Sequence, residues 1–232
     1  MNKIERLDWD SNFFGYEVGK IEIVNFDDFD INDFLEQTKS FRLTYIFSKL
    51  ELKTTKLKLV DQKVILSQKI DDSKLVESED DFFHSFDIKK HDYNQLKKLA
   101  LESGVYSRYF IDNEFKKNEY QNLYSCWIEN SVNKKLAFDI VIATRKEEIL
   151  GFTTLTKKGN IADIGLVAVS NKHRGLGIGK KLIIESITRA RNAKFKEIQV
   201  VTQLNNIAAI KLYKAANFKI KETINIYHLW NK

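Results

Sequence analysis

The chain has 232 residues, of which 43% are hydrophobic and 30% charged. That balance suits a folded globular protein and excludes a disordered one. Its formal charge of +6 is spread over many lysines with acidic residues among them, so no basic patch interleaved with aromatics points to nucleic acid, and anionic small molecules fit better. There is no run of about 18 apolar residues to cross a membrane. The opening Lys3, Glu5, Arg6 and Asp8 lacks an apolar signal core, so a cytoplasmic location is expected, with no membrane or nucleic-acid partner. The single cysteine, Cys126, cannot form an internal disulfide and falls in a helical pattern, where an inert buried thiol is expected.

In chain order, the pattern predicts a strand at Lys20–Val24, a helix at Ile31–Thr38 and a strand at Thr44–Leu50. A short helix at Thr54–Leu59 and a strand at Lys63–Ser67 follow. Acidic and serine residues replace the apolar pattern at Asp71–Asp81, which reads as a surface connection and a boundary between residues 1–75 and 76–232. Beyond it, Tyr93, Leu96, Leu99 and Ala100 recur at helical spacing up to Ser103-Gly104, and Tyr120, Leu123, Tyr124, Trp127, Ile128 and Ser131 line one face of a second helix. Strands at Phe138–Thr144, Leu150–Thr156 and Ile161–Val169, joined by short turns, predict an antiparallel meander. A helix at Leu176–Ala193, a strand at Glu197–Thr202, a helix at Ile207–Ala216 and a strand at Phe218–Leu229 complete a mixed α+β chain.

The informative stretch is Val167–Lys181, where an apolar strand runs through a polar loop into a glycine-rich turn that opens a long helix. Such a turn gathers unpaired N–H groups at the positive end of the helix dipole, and Gly175, Gly177 and Gly179 remove the side chains that would hold an anion off. Arg174, Lys180 and Lys181 could add charge-assisted contacts to a phosphate there. A dinucleotide fingerprint wants G-x-G-x-x-G, a spacing these glycines miss; a mononucleotide loop wants Gly-Lys followed by Ser or Thr, and Gly179-Lys180 is followed by Lys181.

The run Arg174-Gly175-Leu176-Gly177-Ile178-Gly179 resembles the Arg/Gln-x-x-Gly-x-Gly/Ala signature of the GNAT acetyltransferase superfamily. Asn206-Ile207-Ala208-Ala209-Ile210-Lys211-Leu212-Tyr213, then Ala216-Asn217-Phe218, is similar to that family's second motif, with Asn217 in place of the usual glycine. Asn tolerates the same left-handed backbone. The resemblance implies a central, mostly antiparallel sheet flanked by helices, here preceded by a smaller α/β N-terminal module. It implies acetyl-coenzyme A as acyl donor and no metal. Backbone groups of Val167, Ala168 and Val169 would pair with pantetheine; Arg174, Gly175, Leu176, Gly177, Ile178, Gly179 and Lys180 would hold the pyrophosphate. Asn206 would touch pantetheine, and Tyr213 would act as general acid toward the departing thiolate. A free thiol has a pKa of about 8.5 and a phenol of about 10, so the phenol stays protonated at neutral pH and can hand its proton on.

Family members that acetylate peptides often carry a glutamate at the position of Val201, where this chain has no carboxylate; Asp163 on the strand before the turn is one candidate base. The opening Leu7-Asp8-Trp9-Asp10-Ser11-Asn12-Phe13-Phe14-Gly15 and the stretch Tyr106–Asp112, with Tyr124, Trp127 and Ser131, resemble the dTDP-fucosamine acetyltransferase group. That resemblance implies a nucleotide-linked amino-deoxysugar as acceptor, with Asn12, Phe14, Ser107 and Arg108 as substrate residues. Arg108 would meet a diphosphate, and aromatic rings would stack on the base. Core packing for Trp9, Phe13, Phe14 and Trp127, and a surface ion pair for Arg108, are the competing readings. A protein, aminoglycoside or polyamine as acceptor, and a non-catalytic coenzyme A sensor, stay open, as does a homodimer.

Overall fold

The computed structural model describes residues 3–24, 31–52, 56–71 and 82–231. Its strands are β1 (Glu5–Arg6), β2 (Val18–Ile23), β3 (Leu43–Ser48), β4 (Lys58–Lys69), β5 (Phe83–Ser85), β6 (Ala137–Arg145), β7 (Glu148–Lys158), β8 (Ile161–Val169), β9 (Glu197–Gln203) and β10 (Lys219–Trp230). They form one ten-stranded sheet in the order β1-β2-β3-β10-β4-β9-β8-β7-β6-β5. All neighbours are antiparallel except β2 with β3 and β8 with β9. The helices are α1 (Asp8–Phe14), α2 (Ile31–Thr38), α3 (Tyr93–Ser103), α4 (Arg108–Ile111), α5 (Lys117–Val132), α6 (Ile178–Asn192) and α7 (Ile207–Ala215).

Alternation along β6 explains how both faces of the sheet are covered. Val141 and Ala143 point to the core beneath α6 and α7, while Ile140 and Ile142 point to the core beneath α3 and α5. A third cluster gathers under α2 around Ile21, Ile46 and Phe34, and a fourth, rich in aromatics, joins Tyr45, Tyr109, Phe115 and Tyr124. The strand β4 is central to the fold: Val64 and Leu66 have no exposed surface, and each such burial is worth about 1.5–3 kcal/mol.

The meander β6–β8, the helices α3 and α5–α7 and the strand β9 fall where periodicity places them. The expected helix at Thr54–Leu59 does not survive: Lys58 and Leu59 already belong to β4, and residues 53–55 lie outside the described residues. A 12-residue strand paired on both sides, to β10 and β9, overrides the local helical spacing. Of the expected connection at Asp71–Asp81, residues 72–81 also lie outside the described residues. The short elements α1, α4, β1 and β5 carry too few residues for a periodic signal. Because β10 inserts between β3 and β4, the strands from the first 75 residues share one continuous sheet with the later ones.

Candidate active site

A gap opens in the middle of this sheet. The parallel pairing of β8 with β9 consists of Ala162 with Ile198, Asp163 with Gln199 and Ile164 with Val200, and stops there. Beyond it β8 stays bonded to β7 as far as Val169, and β9 stays bonded to β4 as far as Gln203, so the two strands diverge while held from outside. A bulge in β8 marks the divergence: Thr153 and Leu155 of β7 oppose Val167 and Ile164, leaving one extra residue on β8. Leu166 N–H donates to Thr154 Oγ1 at 2.8 Å instead of to a strand carbonyl. A Cβ at Gly165 would stand 2.8 Å from that same oxygen, so glycine is required for the kink.

From Val169 the chain passes through a 3-10 turn at Asn171–His173 into α6. Gly175 and Gly177 have φ of 80° and 78°, values that glycine adopts without strain. The first backbone bond of α6 is Lys181 N–H to Gly177 C=O at 3.2 Å, which leaves the N–H groups of Ile178, Gly179 and Lys180 ahead of it at the positive helix end. Nothing lies within 4 Å of where a Cβ would stand on Gly175 or Gly177. Arg174 turns back to donate from Nε to Val169 C=O at 3.2 Å.

The gap and the turn belong to one cleft of about 520 Å³. It gathers Val167, Ala168, Val169, Arg174, Gly175, Gly177, Ile178, Gly179, Lys180, Asn206 and Tyr213 from the sequence reading, together with Ser107. Leu176 is 63% exposed and is absent from the lining. Asn206 caps α7, accepting from Ala209 N–H through Oδ1 at 3.2 Å, which leaves its Nδ2 for a ligand. Tyr213 is 4% exposed, and burial pushes its phenol well above the usual range. Asn217, with φ of 67°, takes the left-handed conformation expected of it. Val201 lines the cleft as an apolar wall. Asp163 sits in the closed part of the β8–β9 pair, where it accepts from Gln199 Nε2 at 2.6 Å, and is not part of the lining.

The remaining sequence-derived residues are dispersed. Asn12 is exposed on α1. Phe14 packs against Tyr16, Tyr109 and Phe115 at ring distances of 5.6, 6.3 and 5.4 Å and borders a second, smaller hollow with Arg42 and Trp230. Trp9, 48% exposed, stacks on Phe13. Arg108 adjoins the cleft through Ser107, but it is no surface ion-pair residue: its guanidinium lies 4.7 Å from the ring centre of Tyr45 and 4.5 Å from that of Tyr109. Cys126 is half-buried and accepts from Asn130 Nδ2. Tyr106, from the acceptor stretch of the sequence reading, also lies on the cleft wall, while sequence reasoning does not single out Val105, Gln203 and Leu212, whose only signal is nearness in sequence to Ser107, Asn206 and Tyr213. Among the described residues there is no cluster of His, Cys, Asp and Glu that could hold a metal, and no helix long and apolar enough to cross a membrane.

A splayed parallel pair beside a glycine-rich helix start, with a tyrosine in the same cleft, brings together the residues that the sequence resemblance implies for the acyl donor. The model of the GNAT acetyltransferase family matches residues 94–218, and the chain belongs to that family. Among curated proteins it is 27% identical over 149 residues to the spore coat polysaccharide biosynthesis protein SpsD of Bacillus subtilis, a match covering 64% of this chain and 51% of SpsD. It is 35% identical over 65 residues to N-alpha-acetyltransferase 30 of Saccharomyces cerevisiae, covering 28% of this chain and 37% of that protein. The chain thus spans about half or less of these curated relatives. A conserved protein of unknown function from Staphylococcus epidermidis shares the fold, with a TM-score of 0.66 at 9% identity, over 94% of this chain and 85% of that one.

Proposed function

We propose that this protein transfers an acetyl group from acetyl-coenzyme A to the amino group of a nucleotide-linked amino-deoxysugar, a dTDP-sugar in the first instance, in a ternary complex without a covalent enzyme intermediate. The observation that carries the donor half is the meeting of three features in one cleft: the β8–β9 gap, the α6 N-terminus with its open glycines, and Tyr213. In this reading the N–H groups of Ile178, Gly179 and Lys180 grip the pyrophosphate, and Arg174 and Lys180 add charge. The unpaired edge of β8 at Val167–Val169 receives the pantetheine amides, and the Nδ2 of Asn206 adds a contact from the other side. Main-chain N–H groups of that edge also stabilise the oxyanion that forms as the amine attacks. Tyr213 holds its proton until sulfur departs with negative charge and then supplies it; burial raises the proton affinity of the departing thiolate as it does that of the phenol, and the phenolate left behind is reprotonated by the acceptor nitrogen as the amide forms.

For the acceptor, support comes from the similarity to SpsD, a protein named for polysaccharide biosynthesis. In this reading β3 borders the acceptor side of the site, with its Tyr45 and Phe47 flanking Arg108 next to the cleft-lining Ser107. The apolar Val201 counts against the peptide-type base position. The test is thiol release from acetyl-coenzyme A with a panel of dTDP- and UDP-amino sugars, peptides and aminoglycosides. Turnover confined to nucleotide-linked amino sugars supports the reading; a preference for peptides or aminoglycosides overturns the acceptor, and no release with any acceptor overturns the enzymatic reading.

A further inference from the structure

Three of the buried polar atoms without a hydrogen-bond partner among the described residues, Asp61 Oδ1, Arg108 Nε and His228 Nε2, belong to residues of β4, α4 and β10 in which the Arg108 charge acts on both Asp61 and His228. Such atoms are rare in a folded interior and call for a ligand or water. Asp61 owes its aim to a bulge in β4: Ile226 and Tyr227 of β10 oppose Asp61 and Leu59, so Val60 is the extra residue. The Asp61 carboxylate is engaged by the Gln203 side chain and the Gln62 backbone, its Oδ1 has no close hydrogen-bond partner among the described residues, and it stands directly behind Gln203, which lines the acyl-donor cleft. Arg108 does not close on Asp61. It donates to Tyr109 Oη at 2.6 Å and lies across the rings of Tyr45 and Tyr109.

A diphosphate is poorly served by this niche, because the carboxylates of Asp61 and Asp10 already answer the charge of Arg108. A cationic group suits an unpaired carboxylate oxygen. An acceptor amine arrives as an ammonium and must lose a proton before it can attack. Val201 cannot take that proton, and Asp163 is turned to Gln199 in the closed part of the strand pair.

We propose that Asp61 receives the acceptor's ammonium and acts as the general base of the transfer, a step that rests on the acetyltransferase reading above but not on the acceptor being a sugar. The N–H bond breaks with its electron pair left on nitrogen, and the proton goes to the Asp61 carboxylate. Nitrogen then bonds to the thioester carbon, the C–S bond breaks with its electron pair on sulfur, and the sulfur gains a proton from Tyr213. The second proton on nitrogen is lost as the amide forms and restores Tyr213, so one proton is released overall, from Asp61 to solvent. Burial lifts the Asp61 carboxyl to about 6, against the pull of Arg108 and Lys63 and the Gln203 hydrogen bond. That value suits a base working near neutrality. The charged and titratable groups around it are Arg108 and Tyr109 from α4 and Lys63 on β4, with Asp10 of α1, Tyr45 of β3 and His228 of β10 beside Arg108.

Two measurements test the proposal. Carboxyl carbon NMR, with the Asp61 signal assigned through its loss in Asp61→Asn, should show titration near pH 6; titration in the ordinary aspartate range would overturn the assignment, whatever the acceptor. With any amine from the panel that releases thiol, kcat/KM of the wild type should rise through a step near pH 6. Asp61→Asn should lose that step and fall about a hundredfold or more at pH 7, Asp61→Glu should recover part of the rate, and both should bind coenzyme A as the wild type does. An Asp61→Asn protein with the wild-type pH profile refutes the role. If no amine releases thiol from the wild type, it is the acetyltransferase reading that fails, and the carboxyl titration still decides whether Asp61 carries the shifted proton affinity.

Discussion

Replacing Gly177 by alanine separates a ligand cradle from a mere helix start. The position has φ of 78°, and an added Cβ would meet nothing within 4 Å, so the cost to the free protein is the backbone strain alone. A left-handed alanine costs about 1–2 kcal/mol. For a chain of this size each kcal/mol moves Tm by about 2–4 °C, giving a fall of about 2–8 °C. Relief of the strain would rotate the peptide that presents Ile178 N–H, and one lost hydrogen bond to a charged phosphate is worth about 1.5–3 kcal/mol. Coenzyme A should therefore bind about 10- to 150-fold more weakly. Gly15 supplies the matched control: it ends α1 with φ of 76°, equally open space and no place in the cleft lining. Gly15→Ala should cost a similar Tm and no affinity. Calorimetric titration with coenzyme A and thermal denaturation of both variants read the two effects. Equal affinities in the two variants would refute the idea that this turn holds the pyrophosphate.

Tyr213→Phe should lower kcat by about 10²–10⁴-fold and leave coenzyme A affinity unchanged, as single-turnover thiol release and calorimetry would report. Gly104→Ala should destabilise by about 1–3 kcal/mol, since its Cβ would stand 2.3 Å from Tyr124 Cζ; urea denaturation measures it. Acid should weaken the fold through the buried pair in which His228 Nδ1 lies 2.7 Å from Asp112 Oδ2, with Trp230 Nε1 and Lys58 Nζ on the same carboxylate. Burial lowers His228 to about 4, so below pH 6.5 the unfolded chain binds the extra proton, and stability is complete above that pH and is lost as pH falls toward 4. The loss is bounded at about 3 kcal/mol. The hydrogen bonds from His228, Lys58 and Trp230 hold Asp112 well below the usual carboxylate range despite its burial, and its own contribution is lost at still lower pH. His228→Asn, which can still donate to Asp112, should flatten the dependence of Tm on pH between 4 and 6.5; an unchanged slope would count against the pair as its origin.

The donor half of the site is legible in the chain because its chemistry is local. Gly175, Gly177 and Gly179 stand within five consecutive residues, and the Asn206-to-Tyr213 spacing is two turns of one helix. The gap between β8 and β9 is less legible, since it depends on where pairing stops after Ile164 and Val200, a property of two strands and not of either. The proposed acceptor side is hidden almost entirely. Asp61 reaches Gln203 across 142 positions in sequence, and its aim depends on a bulge set by β10. Local spacing misread Lys58 and Leu59 as helix because the pairing that makes them strand comes from Tyr227 and His228. Arg108 looks like a surface cation in sequence and becomes a ring-sandwiched one only when β3 brings Tyr45 beneath it.

Calorimetric titration of the purified wild-type chain with acetyl-coenzyme A and coenzyme A tests the donor cleft most directly. Saturable one-to-one binding, weakened when the pyrophosphate is absent from the ligand, is the result this arrangement of strands and helix predicts. No heat, and no rise in Tm with either compound at millimolar concentration, would contradict it.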